Sequence, residues 1–304
     1  MFYPRQLCES HATLFCIGVL DHEGCLDPLL EALDNRVKAG STRTTLRLIG
    51  RIEAHLKHVQ STPANAKRRL RFLLLSGQAQ QSANLNVATR SFQNAKRLAS
   101  TLEDLAALTA ARIGLANGEL DNGRLLSAVT LLETVHADLS DENDYQASSL
   151  TEALAAQAHA LHGRILLYLG QSADCMKHLL AAKKRVPPEQ DDLRCHIWID
   201  LARAEAIAHR YATAMRSLHV IEKDHPVRHY PRARLRFHIY RGQIRAILGD
   251  PDAVQDLTLA LDEAQRLALP VYGARAALLL GERDFWREND LQAQQRLQQA
   301  VELA

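Results

Sequence analysis

Three groups of residues carry the chemistry in this chain. Arg43, Arg47 and Arg51 recur at every fourth position, His55 continues the series, and Arg68, Arg69 and Arg71 follow Lys67 shortly after. At that spacing the side chains leave one side of a helix and make a basic stripe, suited to phosphates or to an acidic protein surface. Near the start, Cys8, His11, Cys16, His22 and Cys25 are ligand types that hold zinc, but their intervals match no established finger. The other histidines are dispersed. His159 and His162 lie three apart with no third ligand beside them, and His219, His225 and His229 surround a turn without a nucleophile. His196 and His209 read as packing or groove positions. The expected inventory therefore holds no metal and no cofactor. P-loop, GxGxxG, GxSxG and HExxH patterns are all lacking, so the sequence reads as a binding protein and not as an enzyme.

The elements that position these residues are helices. Hydrophobic residues are 47% of the 304, aromatics only 5%, and the chain is rich in Ala, Leu, Arg and Gln, a composition that favours an all-α fold over sheet. No stretch is long and apolar enough to span a bilayer, and Met1-Phe2-Tyr3-Pro4-Arg5 lacks the layout of a secretory leader. Five cysteines, an odd number with no CxxC pair, fit reduced thiols. The expectation is a cytoplasmic protein without a membrane partner.

A spaced pattern of a small or apolar residue, a bulky one four further on and a small or apolar one three beyond that recurs along the chain. It reads Ala88, Phe92, Ala95; Ala128, Leu132, Val135; Cys175, Leu179, Ala182; Ala214, Leu218, Ile221; Ala253, Leu257, Ala260; and Ala293, Leu297, Ala300. Ahead of each lies a helix with a small residue at its middle: Ser76, Ala116, Gly163, Ala202, Gly242 and Gly281. Such a helix pair cannot bury its apolar stripe alone, and stacking of successive pairs supplies the core. Residues 26–38 and 43–59 read as a further pair, the second with Leu46, Ile49, Ile52 and Leu56 on one apolar stripe.

This pattern resembles the tetratricopeptide repeat superfamily over residues 65–304, with about six units. The step near forty residues is longer than the usual 34 and is similar to the arrays of bacterial regulators of the MalT type. The resemblance implies an all-α, right-handed α-solenoid of helix-turn-helix repeats, with residues 1–64 as an N-terminal helical cap or divergent first repeat. It also implies a partner-binding groove on the first helices, at Asn117, Gln157, Arg164, Tyr168, His196, Arg203, Arg236, Gln243 and Arg275.

The net charge of +2 conceals alternating blocks: −5 in residues 1–35, +12 in 36–97, −8 in 98–163, +8 in 164–248 and −5 in 249–304. Arginines recurring on successive first helices can take carboxylates bidentately, so the implied partner is an acidic peptide or protein. Asp200, Glu205 and Glu282 on the same helices compete for them. The expected function is a non-catalytic interaction scaffold, adaptor or regulatory sensor module. The alternative is a nucleic-acid-associated transcriptional regulator using residues 43–71. The opposite-sign blocks also suit a homodimer.

Overall fold

The computed structural model describes residues 26–38, 42–81, 83–140, 149–224, 227–267 and 269–303. The N-terminal Cys/His group lies outside the described residues. Of those described, 86% are helical and none is in a strand. In chain order the helices are α1 (Leu26–Lys38), α2 (Thr42–Leu56), α3 (Pro63–Gln80), α4 (Leu85–Thr101), α5 (Leu105–Asp121), α6 (Leu125–Ser140) and α7 (Ser149–Tyr168). There follow α8 (Ser172–Arg185), α9 (Asp191–Ile207), α10 (Tyr211–Asp224), α11 (Pro231–Ile247), α12 (Ala253–Leu267), α13 (Pro270–Trp286) and α14 (Asp290–Leu303). The chain divides into two compact units, residues 1–121 and 122–304. Within each, a helix packs against the next in sequence, and in α3–α5 and α7–α13 alternate helices also touch. That is a helical-hairpin repeat. No helix among the described residues is long and apolar enough to cross a membrane.

Local signals start and stop these helices where the sequence places them. Thr62, Asn84 and Asp104 each accept a hydrogen bond from the backbone N–H three residues on, capping α3, α4 and α5. Pro63, Pro231 and Pro270 stand at first positions, where no N–H is needed. In unit 2 the hairpins close with one turn. Gly170 and Gly249 take φ values of 74° and 75°, and the N–H of Gln171 and of Asp250 reaches back to the carbonyls of Leu166 and Arg245 at 2.9 Å. His209 and Glu288 hold the equivalent left-handed positions at φ 58° and 59° without being glycine.

The repeat pattern is the core. Seventeen of the eighteen anchor residues are buried, and Leu297 near the C-terminal end is half-buried. In three hairpins of unit 2 the small residue of the first helix faces the leucine of its partner, and in α3 it is Gly77, next to the expected Ser76, that faces Phe92. A Cβ on Gly163 would stand 2.8 Å from Leu179 Cγ, on Gly242 2.7 Å from Leu257 Cγ, and on Gly281 2.9 Å from Leu297 Cγ. In unit 1 the bulky residue is Phe92, and its larger ring requires two glycines, Gly77 and Gly114, whose Cβ atoms would come within 2.7 and 2.4 Å of it. Cys175 and Cys195 are buried thiols without a disulfide, pushed up to about 12 by burial and neighbouring aspartates. They serve as small apolar residues.

In unit 1, α1, α2 and α3 share a core of Leu26, Leu30, Leu33, Ile52, Leu56 and Phe72. Helix α2 ends at Leu56, the last residue of the stripe, and not at the expected position 59. Leu46 is 37% exposed, and Thr45 is buried in its stead. Ile49, Ile52 and Leu56 fix a helical face that includes position 45 and turns position 46 outward, so the apolar type at 46 misleads.

Substituting Gly242→Val forces Leu257 out of its rotamer against α11, and the urea midpoint should fall by the equivalent of about 1–3 kcal/mol. Gly50, on α2 with nothing within 4 Å of its Cβ direction, behaves oppositely. Gly50→Ala should raise the midpoint by about 0.5–1 kcal/mol through lost unfolded-chain entropy.

Candidate functional site

The first helices of four successive hairpins, α7, α9, α11 and α13, lie side by side in unit 2. Their aligned positions carry Arg164 and Tyr168, then His196, Asp200 and Arg203, then Arg236, Tyr240 and Gln243, then Arg275. Asp200 is the hub and is fully buried. Arg164 donates to its Oδ2 from Nε at 3.1 Å and Nη2 at 2.8 Å, and Arg236 donates to Oδ1 from the other side. Burial works to raise the Asp200 pKa, but Arg164, Arg236 and Arg203 outweigh it and hold the carboxyl at about 2. Arg236 also donates to His196 Nδ1 at 2.8 Å. A guanidinium cannot accept, so His196 is the neutral tautomer protonated on Nε2. Burial and the two flanking arginines push its pKa well below the ordinary value.

Above this base sits a ladder of alternating cations and rings. The Arg203 guanidinium lies 4.4 Å from the Tyr168 ring centre and 5.5 Å from that of Tyr240, and Arg275 lies 4.8 Å from the Tyr240 ring. Burial would raise the Tyr168 phenol, yet Arg203, Arg275 and Arg164 bring it below its usual value. Arg203 Nη1 is buried and has no hydrogen-bond partner. Neither Arg203 nor Arg275 forms an ion pair among the described residues. Four guanidiniums thus share one carboxylate, and the face keeps an excess of positive charge with a desolvated donor pointing at no acceptor. Such a site can take carboxylate or phosphate oxygens.

Of the groove residues expected from sequence, the structure gathers Arg164, Tyr168, His196, Arg203, Arg236 and Arg275 into one network. Gln157 and Gln243 are half-buried on the same helices, and Asn117 lies in unit 1, its amide 3.5 Å from Asp121. Arg164 and Arg236 are engaged inside the protein and are not free to bind a partner; Glu205 binds Arg210 instead of Arg203. Tyr240 and Asp200 complete the site. Both sit forty residues from an aligned neighbour, so the repeat period was the signal for them. Elsewhere in the +8 block, Arg234 pairs with Glu263, Arg241 with Glu222 and Asp256, and Arg245 with Asp256.

The basic stripe of unit 1 is divided. Arg68 forms a bidentate pair with Asp27, at 3.0 and 2.7 Å, and donates to Asn65. Arg69 donates to the Leu56 carbonyl at 3.3 Å. Arg47, Arg51 and Arg71 are exposed. The side chain of Arg43 lies outside the described residues.

No family model matches the chain, and no curated protein does. Solved structures match in fold. The chain is similar to a Rap protein complexed with competence and sporulation factor, with TM-score 0.65 and 12% identity over 98% of this chain and 91% of that one. The shared property is the helical repeat. It is also similar to the Rap conjugation gene regulator of the plasmid pLS20 in complex with the Phr* peptide, with TM-score 0.60 and 10% identity over 91% and 94% of the two chains. A third likeness is to aspartyl phosphate phosphatase F from Bacillus subtilis, with TM-score 0.53 and 12% identity over 94% and 95%. At these identities the likeness is one of fold.

The Asp200 carboxyl is held below its unfolded value, so its contribution to stability is full above about pH 4 and disappears as pH falls toward 2. That contribution is on the order of 2 kcal/mol. Acid unfolding of Asp200→Asn should lack this component, and at pH 7 the variant should be destabilised by about 3 kcal/mol, because Arg236 remains buried and Arg164 half-buried without their counter-ion.

Proposed function

We propose that this chain is a non-catalytic interaction scaffold whose second unit captures an acidic peptide, or the acidic segment of a protein, across α7, α9, α11 and α13. The observation that carries this reading is Arg203, a half-buried guanidinium stacked on Tyr168 with its buried Nη1 unanswered, beside an unpaired Arg275. A peptide carboxylate would complete both, and the exposed part of the Tyr168 ring would hold the aliphatic part of its side chain. Two of the structures with this fold are named with a bound peptide or factor, and that use of the fold supports a peptide ligand here. Repeat length near forty, as in MalT-type arrays, supports a regulatory setting. A catalytic role for the hub is not part of the reading, since Asp200 spends its lone pairs on Arg164 and Arg236.

A fluorescein-labelled hexaglutamate peptide tests this by anisotropy. It should bind at low salt, lose affinity linearly on a log scale as salt rises, and be weakened about tenfold or more by Arg203→Ala and by Arg275→Ala, the scale of one charge-assisted hydrogen bond. A hexalysine peptide should not bind. Equal affinity of both peptides, or unchanged affinity in the two variants, would overturn the reading.

A further inference from the structure

On the other side of α7, away from the arginines, four histidines meet. His136 comes from α6, His159 and His162 from successive turns of α7, and His178 from α8. Their ring centres lie 4.1 Å apart for His162 and His178, 4.4 Å for His136 and His159, and 5.2 to 5.5 Å for three further pairs. One donor nitrogen from each of His136, His162 and His178 falls within 4.8 Å of the others. His159 Nδ1 and His178 Nδ1 are 3.1 Å apart. His162 is buried, and its Nδ1 has no hydrogen-bond partner.

We propose that His136, His162 and His178, with His159 as the fourth donor, form a binding site for one divalent first-row transition-metal ion of the zinc type. Four imidazoles offer neutral, borderline nitrogen ligands. That set suits Zn²⁺, Ni²⁺ or Cu²⁺ and is a poor match for Mg²⁺ or Ca²⁺, which need oxygen. A tetrahedral ion with metal–nitrogen bonds of about 2.0–2.1 Å places its donors about 3.3 Å apart. The His159–His178 separation is already close to that, and the other rings, whose donors lie within 4.8 Å, would turn about their χ angles to close on the ion. Burial, the neighbouring rings and Arg185 hold His136 and His159 near pKa 4, and burial with the adjacent rings does the same for His162. All three are therefore in the neutral, ligating form at pH 7. The charged groups around the cluster balance nearly evenly. Asp174 pairs with Lys177 at 2.8 Å, and Arg185 lies 3.5 Å from Glu152. With protein donors from α6, α7 and α8, the ion would tie three consecutive helices of unit 2 together, as a structural site does.

The metal also accounts for an otherwise costly arrangement. A hydrogen-bonded pair of histidines satisfies one nitrogen on each ring, whereas His162 Nδ1 forfeits its water with no replacement. An ion coordinated there supplies the missing partner and fixes the tautomers of all four rings.

The test is Co²⁺ and Zn²⁺ titration of the full chain after chelation and dialysis, read by visible absorption and by thermal melting. The expected result is one equivalent of Co²⁺ with the d–d bands of a tetrahedral nitrogen site, displacement by Zn²⁺, and a melting midpoint that climbs with free Zn²⁺. His162→Gln and His178→Gln, each checked for native helicity by circular dichroism, should bind at least about tenfold more weakly. A thiolate charge-transfer band would place the ion on cysteines and overturn the proposal. So would absence of stoichiometric uptake by the unsubstituted chain at micromolar metal, a readout that needs no variant to fold. Full-strength uptake by folded His162→Gln or His178→Gln would do the same.

Discussion

Every hairpin in unit 2 depends on one steric fit, a residue with little or no side chain on the first helix against a leucine on the second. The Cβ clearances at Gly163, Gly242 and Gly281 leave no room for a methyl group without displacing Leu179, Leu257 or Leu297. That fit sets how closely the helices approach and which residues flank the crossing. Four positions before the small residue and one before the leucine stand two further residues of each hairpin. They are His159 and His178 in one hairpin, Trp198 and Ser217 in the next, His238 and Asp256 in the third, and Ala277 and Arg296 in the fourth. In two of these the pair is hydrogen-bonded, His159 to His178 and His238 to Asp256 at 2.9 Å. In those two hairpins the positions beside the apolar crossing carry polar chemistry, imidazole with imidazole in one and imidazole with carboxylate in the other.

The first helices solve a different problem on their outer side. Aligning arginines from neighbouring repeats would place like charges together, and Asp200 is what makes the alignment stable. It takes Arg164 from one neighbour and Arg236 from the other, so one buried carboxylate offsets two guanidiniums across three helices. Burying that triad is not an inexpensive way to gain stability, since desolvation consumes much of the Coulomb attraction. Its value lies in holding Tyr168, Arg203, Tyr240 and Arg275 in one row. The cations left over then stack on rings instead of pairing with acids, which keeps them charged, oriented and incompletely satisfied.

Helix α7 carries both chemistries. His162 and Arg164 are two residues apart, about 200° around the helix, so the imidazole cluster and the arginine network occupy opposite sides of one rod. One side is neutral at pH 7 because burial removes protons from its histidines; the other stays charged because guanidiniums do not deprotonate in that range. An interaction that restrains α7 on the histidine side necessarily restrains the position of Arg164 and Tyr168 as well.

The helices, their order and the buried anchors were legible in the residues alone. Helix α1 spans residues 26–38 as the periodicity requires, and the six anchor triplets fall in the core, because amphipathic spacing and turn residues act over a few positions of chain. That residues about forty apart, such as His196 and Arg236, become neighbours when hairpins stack followed from the repeat period. What the sequence could not settle was which side chains spend their bonding capacity on each other. Arg164, Arg236 and Arg68 looked available and are engaged, by Asp200 and Asp27 at sequence separations of 36 and 41 residues. His159 and His162 looked like an incomplete pair, and the tertiary structure adds His136 and His178 from the flanking helices. Hydrogen bonds and ion pairs depend on side-chain direction to within tenths of an ångström, and only the packing of one helix against the next determines that.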